Sequence, residues 1–299
     1  MKYRITVIGG ANVDIGGRSA AALVLHESNP GVNHQGFGGV GRNIAHNLCL
    51  LGEEVRLIAA FGDDLYGRAL RENCRELGMD LRLSLVLPER RSSTYLYLCA
   101  EDGELLAAIA DMDITRCLTP AVLERCLGDI NASDAVVVDA NLEEETLTWL
   151  AGHCTAPLYA DPVSAAKAPR LLPILGKLRA IKPNRREAEI LSGCTGAEES
   201  VSALLNAGVQ RVFLTLGGDG LLAGEGQTRV TLPGELDPVV NVTGAGDAVL
   251  AALVWADLRG YSLCDCARAG LRAGAVTAAC EQANTPHLKD ALQSFQRSS

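Results

Sequence analysis

Residues 241–249, N-V-T-G-A-G-D-A-V, leave this chain few ways to fold. They follow a turn-rich segment, Leu232-Pro233-Gly234, and run into an apolar stretch at 248–258 with the length and composition of a helix. A strand or loop must therefore enter a helix through Gly-Ala-Gly. Gly244 and Gly246 can adopt backbone angles closed to other residues. Amide N–H groups around Ala245 can then converge at the helix N-terminus, where unpaired donors and the macrodipole favour an anion. Asp247 falls in the first helical turn, one residue past the glycines, and its carboxylate is expected to stay ionised at neutral pH and to face whatever the hole holds. An anion hole beside a base suits phosphoryl transfer: in a loose transition state the attacking hydroxyl loses its proton late, so an Asp of ordinary or lowered pKa can accept it. The same residues also read as a helix N-cap with an acidic residue favoured by the dipole, and the stretch alone does not choose between the two.

Charge narrows the partner. A formal charge of -9 and a pI near 5.1 argue against a nucleic-acid backbone or an anionic membrane, both of which attract basic surfaces. A small molecule is the expected partner. With 299 residues, 48% of them hydrophobic, there is material for a single α/β domain over 1–299. The N-terminus runs straight into the strand-like I-T-V-I, and the longest apolar stretch, 248–256, is too short to span a bilayer, so a soluble cytoplasmic protein is expected. Ten cysteines are scattered without a C-x-x-C pair, several at apolar positions such as Cys49 and Cys280, which reads as reduced, mostly buried thiols. The five histidines show no metal-ligand spacing, and no structural metal is expected.

From the N-terminus, residues 4–9 read as a buried strand with G-G-A-N-V-D at its carboxyl end, the edge where ligands of open α/β sheets gather. Asn12 and Asp14 can hold sugar hydroxyls there, and an Asx turn closing the strand explains them equally well. G-F-G-G-V-G-R-N at 36–43 then leads into an amphipathic helix with Ile44, Ala45, Leu48 and Leu51 on one side. Gly36, Gly38 and Gly41 match G-x-G-x-x-G, but a dinucleotide fingerprint directly follows the first strand, whereas about 25 residues and a different turn intervene here. A turn at Gly38 and Gly39 lets a ligand approach the backbone, Asn43 can reach it, and a sugar fits better than a pyrophosphate.

The middle of the chain alternates as a parallel sheet demands: strand at 55–60, helix at 64–77, strand at 135–139, helix at 143–150, strands at 158–161 and 211–215. The expected fold is α/β, doubly wound, with a mostly parallel sheet. Two segments, approximately 15–35 and 92–112, break the alternation; in the second, T-Y-L-Y-L-C-A and L-L-A-A-I-A flank the acidic turn E-D-G-E like a hairpin. They are expected to form a small β lid that excludes water, with an ordinary edge hairpin as the plainer reading. No G-x-x-x-x-G-K-[ST] occurs, which excludes a Walker-type site.

Two further motifs follow. In K-P-N-R-R-E-A-E, at 182–189, a strand ends at Pro183 and a helix opens with Asn184 and Glu187 close to one face, a spacing that a capping box also explains. T-L-G-G-D-G, at 215–220, makes a tight turn at another strand's carboxyl end, able to lie under a nucleotide.

The order G-G-V-G-R-N-I-A, K-P-N-R-R-E-A-E, T-L-G-G-D-G, N-V-T-G-A-G-D resembles the ribokinase-like carbohydrate and nucleoside kinases over nearly the whole chain. The resemblance implies that fold with its lid, ATP as donor, magnesium, and transfer of the γ-phosphoryl to a primary hydroxyl. It implies Asp247 as catalytic base and Gly244, Ala245 and Gly246 as anion hole. Asn12, Asp14, Gly38, Gly39 and Asn43 resemble sugar-binding positions. Asn184 and Glu187 match the element that places magnesium and phosphate, with Glu187 reaching the metal through water, and Thr215, Gly217, Gly218 and Gly220 resemble the nucleotide loop. Within the family, S-N-P-G at 28–31, A-D-M-D-I at 110–114 and D-P-V-S-A-A-K at 161–167 resemble members acting on pseudouridine, with Ser93, Thr94 and Asn141 as candidates for reading the uracil edge. Potassium is a third expected cofactor of such kinases, but Asn241 stands where many carry Asp, a carboxylate that helps to hold the cation. The lid is the expected place of a homodimer contact. Another nucleoside or a free pentose remains an alternative acceptor, and a non-catalytic sugar-binding protein an alternative of another class.

Overall fold

The computed structural model describes residues 2–235 and 239–293, so residues 1, 236–238 and 294–299 of the expected domain lie outside those described. The large sheet is built on β1 (Arg4–Ile8), which pairs in parallel with β4 (Glu54–Ile58) and β9 (Ala135–Asp139). Beyond β9 come β10 (Leu158–Asp161), β11 (Leu178–Ile181) and β12 (Arg211–Thr215), all parallel, and then the antiparallel edge β13 (Leu221–Glu225) and β14 (Thr228–Leu232). Parallel strands covered on both faces need apolar side chains on both. A-V-V-V in β9 meets that need, and its period of two divides it between cores: Val137 joins Val7 on one face, Val136 and Val138 join Ile8 on the other.

The helices are α1 (Val40–Leu50), α2 (Leu65–Glu76), α3 (Pro120–Glu124), α4 (Leu127–Asn131), α5 (Glu144–His153), α6 (Arg185–Ser192), α7 (Ala197–Asn206), α8 (Ala245–Leu258), α9 (Leu263–Ala278) and α10 (Leu288–Gln293). Apolar residues of α8 are buried from Ala248 through Val254 without a polar stripe because the helix lies between α1 and α9. None of the described helices is long and apolar enough to cross a membrane.

The expected strand at 55–60 is two: β4 stops at Ile58, and β5 (Ala60–Gly62) leaves the sheet to pair with β6 (Leu85–Leu87). Segments 15–35 and 92–112 fall in a separate four-stranded sheet, ordered β3 (Gly31–Gly38), β2 (Asn12–Ser19), β7 (Thr94–Cys99), β8 (Leu105–Asp111). Asn12 and Asp14 therefore belong to a strand and not to an Asx turn. Of the ten free thiols only Cys74, Cys126 and Cys266 are buried; the other seven are half-buried, fewer inside than the apolar spacing suggested.

Candidate active site

The carboxyl ends of β1, β9, β10, β11 and β12 meet along one edge of the large sheet, and the motifs at 9–14, 182–189 and 215–220 follow from them. At the β1 end, Asn12 is buried and its Nδ2 donates to Asp14 Oδ1 at 2.6 Å. Burial raises the Asp14 carboxyl above its ordinary value, against the pull of the Asn12 N–H, Arg42 and His34. Register places Asp14 between Gly36 and Tyr95, and Gly16 between His34 and Tyr97, so the tyrosines of β7 share the Asp14 face. Thr94 pairs with Val13 on the opposite face, where Leu96, Leu98 and Ile109 are exposed. A Cβ on Gly38 would strike the Asp14 carboxylate, and Gly39, at φ 99°, would strike the Gly10 backbone. Both glycines are thus accounted for by the chain's own packing.

Asn43, in the first turn of α1, donates from Nδ2 to Asp247 Oδ2 at 2.9 Å, joining the acceptor side to the expected base. Asp247 lies in the first turn of α8, behind Gly244, which caps the helix in the left-handed conformation at φ 79°. No side chain caps this terminus; Ala245 N donates to Val242 O at 3.3 Å, which leaves the N–H groups of Gly246 and Asp247 for a ligand. Only Gly244 meets the expectation of unusual backbone angles: Gly246 is helical, and a Cβ there would lie 2.9 Å from Lys182 Nζ.

The expectation of an ordinary or lowered pKa for Asp247 is corrected. Burial pushes it up to about 8, Asp161 and Asp139 add to the rise, and the Asn43 N–H and Lys182 oppose it. Lys182 is buried with its Nζ 3.0 Å from Asp161 Oδ2. Burial works against its ammonium, but Asp161, Glu187 and Asp247 outweigh it and hold the pKa above its ordinary value. A cation thus lies directly beneath the Gly246 backbone. Lys182, Asp161 and Asp139 were not singled out from the sequence as site residues. Their signal was a charged residue closing or following a buried strand, after L-R-A-I, L-Y-A and A-V-V-V.

Asp139 ties the edge together: Oδ2 accepts from Gly10 N and Gly41 N, both at 2.8 Å, and Oδ1 from Asn141 N at 2.9 Å. Asn141 is buried, and its Oδ1 accepts from Lys167 Nζ at 2.6 Å. A Cβ on Gly10 would lie 2.6 Å from Asn141 Nδ2, so that glycine lets the amide sit against the exit of β1. Ser93 is buried, its carbonyl accepts from Val13 N at 3.0 Å, and its hydroxyl has no partner among the described residues.

Asn184 and Glu187 form a capping box on α6: Asn184 Oδ1 accepts from Glu187 N and Glu187 Oε2 from Asn184 N, each at 2.9 Å. Burial raises the Glu187 carboxyl, with Lys182 opposing. Thr215 clamps the neighbouring turn, its N and Oγ1 donating to Pro183 O at 2.9 and 3.3 Å. Gly217, at φ 62°, and Gly218 have open space where a side chain would stand, whereas a Cβ on Gly220 would strike Leu232 O. Among the described residues no cluster of three His, Cys, Asp or Glu could hold a metal by itself. One carboxylate, with Oε1 outside the capping box, suits magnesium that keeps most of its water and takes other oxygens from phosphate.

Known proteins resemble this chain over nearly its whole length. The model of the pfkB family carbohydrate kinases matches residues 2–290. The pseudouridine kinase of Escherichia coli (strain K12) is 36% identical over 295 residues, covering 96% of this chain and 94% of its own. A carbohydrate kinase from Agrobacterium tumefaciens superimposes with a TM-score of 0.88 at 34% identity, over 99% of this chain and 97% of its own. Arabidopsis thaliana ribokinase, solved with ribose and ATP, shares the fold with a TM-score of 0.85 at 19% identity, over 99% and 100% of the chains.

Proposed function

Because this chain belongs to the pfkB family of carbohydrate kinases, we propose that it transfers the γ-phosphoryl of ATP to the 5′-hydroxyl of pseudouridine. The observation that carries the chemistry is the Asp247 carboxyl, held by Asn43 at the uncapped N-terminus of α8. On this reading the acceptor hydroxyl hydrogen-bonds to Asp247 and gives up its proton as the bond to phosphorus forms. The N–H groups of Gly246 and Asp247 and the Lys182 ammonium face the charge that develops on the phosphoryl oxygens. Gly217 and Gly218 leave room for the nucleotide, and Glu187 would hold magnesium through water, which when bound neutralises phosphate charge. Only ionised Asp247 accepts a proton, so kcat/KM falls as pH drops below the raised pKa of the free enzyme.

The acceptor is read from polar groups at the carboxyl ends of β1 and β9 and just before β7. Uracil presents two carbonyls and two N–H groups when it is joined to ribose through carbon. Asn141 offers an amide, Lys167 a donor and Ser93 an unpartnered hydroxyl, while Tyr95 and Tyr97 supply flat apolar surface. A buried polar group left unpaired costs about 1–3 kcal/mol, so a pocket built for this edge rejects free ribose and discriminates against N-linked uracil. Asn241 sets the cation requirement: its Nδ2 donates to Glu281 O at 2.8 Å and its Oδ1 accepts from Thr243 N at 2.9 Å. An amide N–H thus holds the carbonyl that a carboxylate would repel without a cation between them, and turnover is expected to be independent of potassium.

Pseudouridine, uridine, adenosine and ribose at matched concentrations, each with ATP and magnesium and with or without potassium, test the assignment. Pseudouridine should have the highest kcat/KM, unchanged by potassium. Higher efficiency on another acceptor would move the substrate and leave the kinase chemistry standing. No transfer to any acceptor would favour a binding protein, and strong activation by potassium would overturn the role given to Asn241.

A further inference from the structure

Arg42 is buried on α1, and each side-chain oxygen that its guanidinium bonds is a neutral amide carbonyl. Nη1 donates to Asn43 Oδ1 and to Asn284 Oδ1, both at 3.0 Å, and Nη2 donates to Asn73 Oδ1 at 2.8 Å. Asn284 in turn donates from Nδ2 to Asn43 O at 3.1 Å. Three segments therefore converge on one cation: α1, α2 and the connection between α9 and α10. A guanidinium stays protonated even where burial lowers its pKa, as it does here, and a buried cation without a bonded carboxylate is costly. The carboxylates in its field, Asp14 and Asp247, lie on the acceptor side of the edge.

We infer that Arg42 is a positioning residue for Asp247, acting through the orientation of Asn43 and through its own charge. The reason is the asymmetry of an amide. Asn43 can present either its oxygen or its N–H groups to Asp247, and an oxygen would face the ionised carboxylate with like partial charge. Arg42 only donates, so it binds Oδ1 and leaves Nδ2 for Asp247 Oδ2 at 2.9 Å. The other groups around Asp247 are Asp161, Asp139 and Lys182, and those around Arg42 are Asp14, Cys74 and His46. His46 is held down to about 4 by burial and by Arg42, so it is neutral and adds no competing charge at pH 7. Asp161 and Asp139 oppose ionisation of Asp247, which leaves Lys182 and the Asn43 N–H to favour it, with the Arg42 charge in the same field.

The inference rests on Asp247 being the base, and its test needs no substrate. In the ligand-free protein labelled with ¹³C at the aspartate carboxyls, the Asp247 resonance is identified by its loss in Asp247→Asn and followed with pH. Arg42→Met, which neither donates nor carries charge, should raise the midpoint by about 0.5 pH unit or more, and Arg42→Lys should restore most of it. Asn73→Asp pairs the guanidinium with a carboxylate without removing it and should move the midpoint in the same direction, so the test stands if Arg42→Met fails to fold. The acid limb of kcat/KM should follow the same shifts. A midpoint unmoved in folded Arg42→Met, or in Asn73→Asp, would overturn the inference, whereas failure of every acceptor would sink the kinase reading without touching this titration.

Discussion

Asp247→Asn should lower kcat by about 10²–10⁴-fold while changing the affinity for ATP little, because the group lost accepts a proton and does not hold phosphate. Asn has nearly the same shape and can keep the contact with Asn43 Nδ2 through its own oxygen, so the site stays in place while the proton acceptor disappears. The variant should also be more stable than the parent, in a way that depends on pH. The folded-state pKa of Asp247 is raised above that of an unfolded aspartate. Folding therefore favours the protonated form, and stability is lost as pH rises from the unfolded value near 4 through the folded value. The melting-temperature advantage of Asp247→Asn should be clear at pH 8 and shrink toward pH 4. Near-parental kcat would remove Asp247 from the chemistry, and a stability gap that widens toward acid pH would contradict its buried, raised state.

Gly244→Ala should be the most damaging single change in the glycine loop, with kcat/KM for ATP lower by about 10²-fold or more, the range for losing one donor to a developing oxyanion. Gly244 holds a left-handed φ of 79°, which disfavours a side chain by roughly 1–2 kcal/mol, and the new Cβ would strike the carbonyl of Ala283. Relief requires the start of α8 to move, and its N–H groups move with it. Gly246→Ala is milder. Its Cβ meets the end of the Lys182 side chain, which can swing aside, so the loss should be smaller and should appear where Lys182 acts on phosphate. Steady-state kinetics and melting temperatures of the two variants separate these effects. A Gly244→Ala protein with parental kcat/KM would show that the loop does not position phosphate.

The parallel sheet was legible because its strands announce themselves in isolation: A-V-V-V-D and R-V-F-L-T are short, apolar runs whose bounds matched to the residue. The glycine loop was legible because a sharp chain reversal into an apolar helix has few solutions, yet sequence could not divide the labour between Gly244 and Gly246. Backbone angle belongs to the fold of the loop against Ala283, which is distant in sequence. The raised pKa of Asp247 was illegible for a related reason. A helix N-terminus argues for a lowered value, and what overrides it is burial beside Asp161 and Asp139, supplied by strands 86 and 108 residues earlier. Lys182 and Arg42 were hidden inside motifs whose neighbouring residues drew the reading, since a buried cation looks in sequence like any surface lysine or arginine. The two sides of β7 were readable by alternation, but only register against β2 shows that Tyr95 and Tyr97 share the side of Asp14.

The most direct measurement is the ³¹P spectrum of the product formed from pseudouridine, ATP and magnesium. A new phosphate monoester coupled to the two hydrogens on C5′, formed in equal amount to ADP and absent with Asp247→Asn, is the expected result. ADP accompanied only by inorganic phosphate, an ester at another hydroxyl, or no reaction while another nucleoside is phosphorylated would contradict the assignment of pseudouridine as the acceptor.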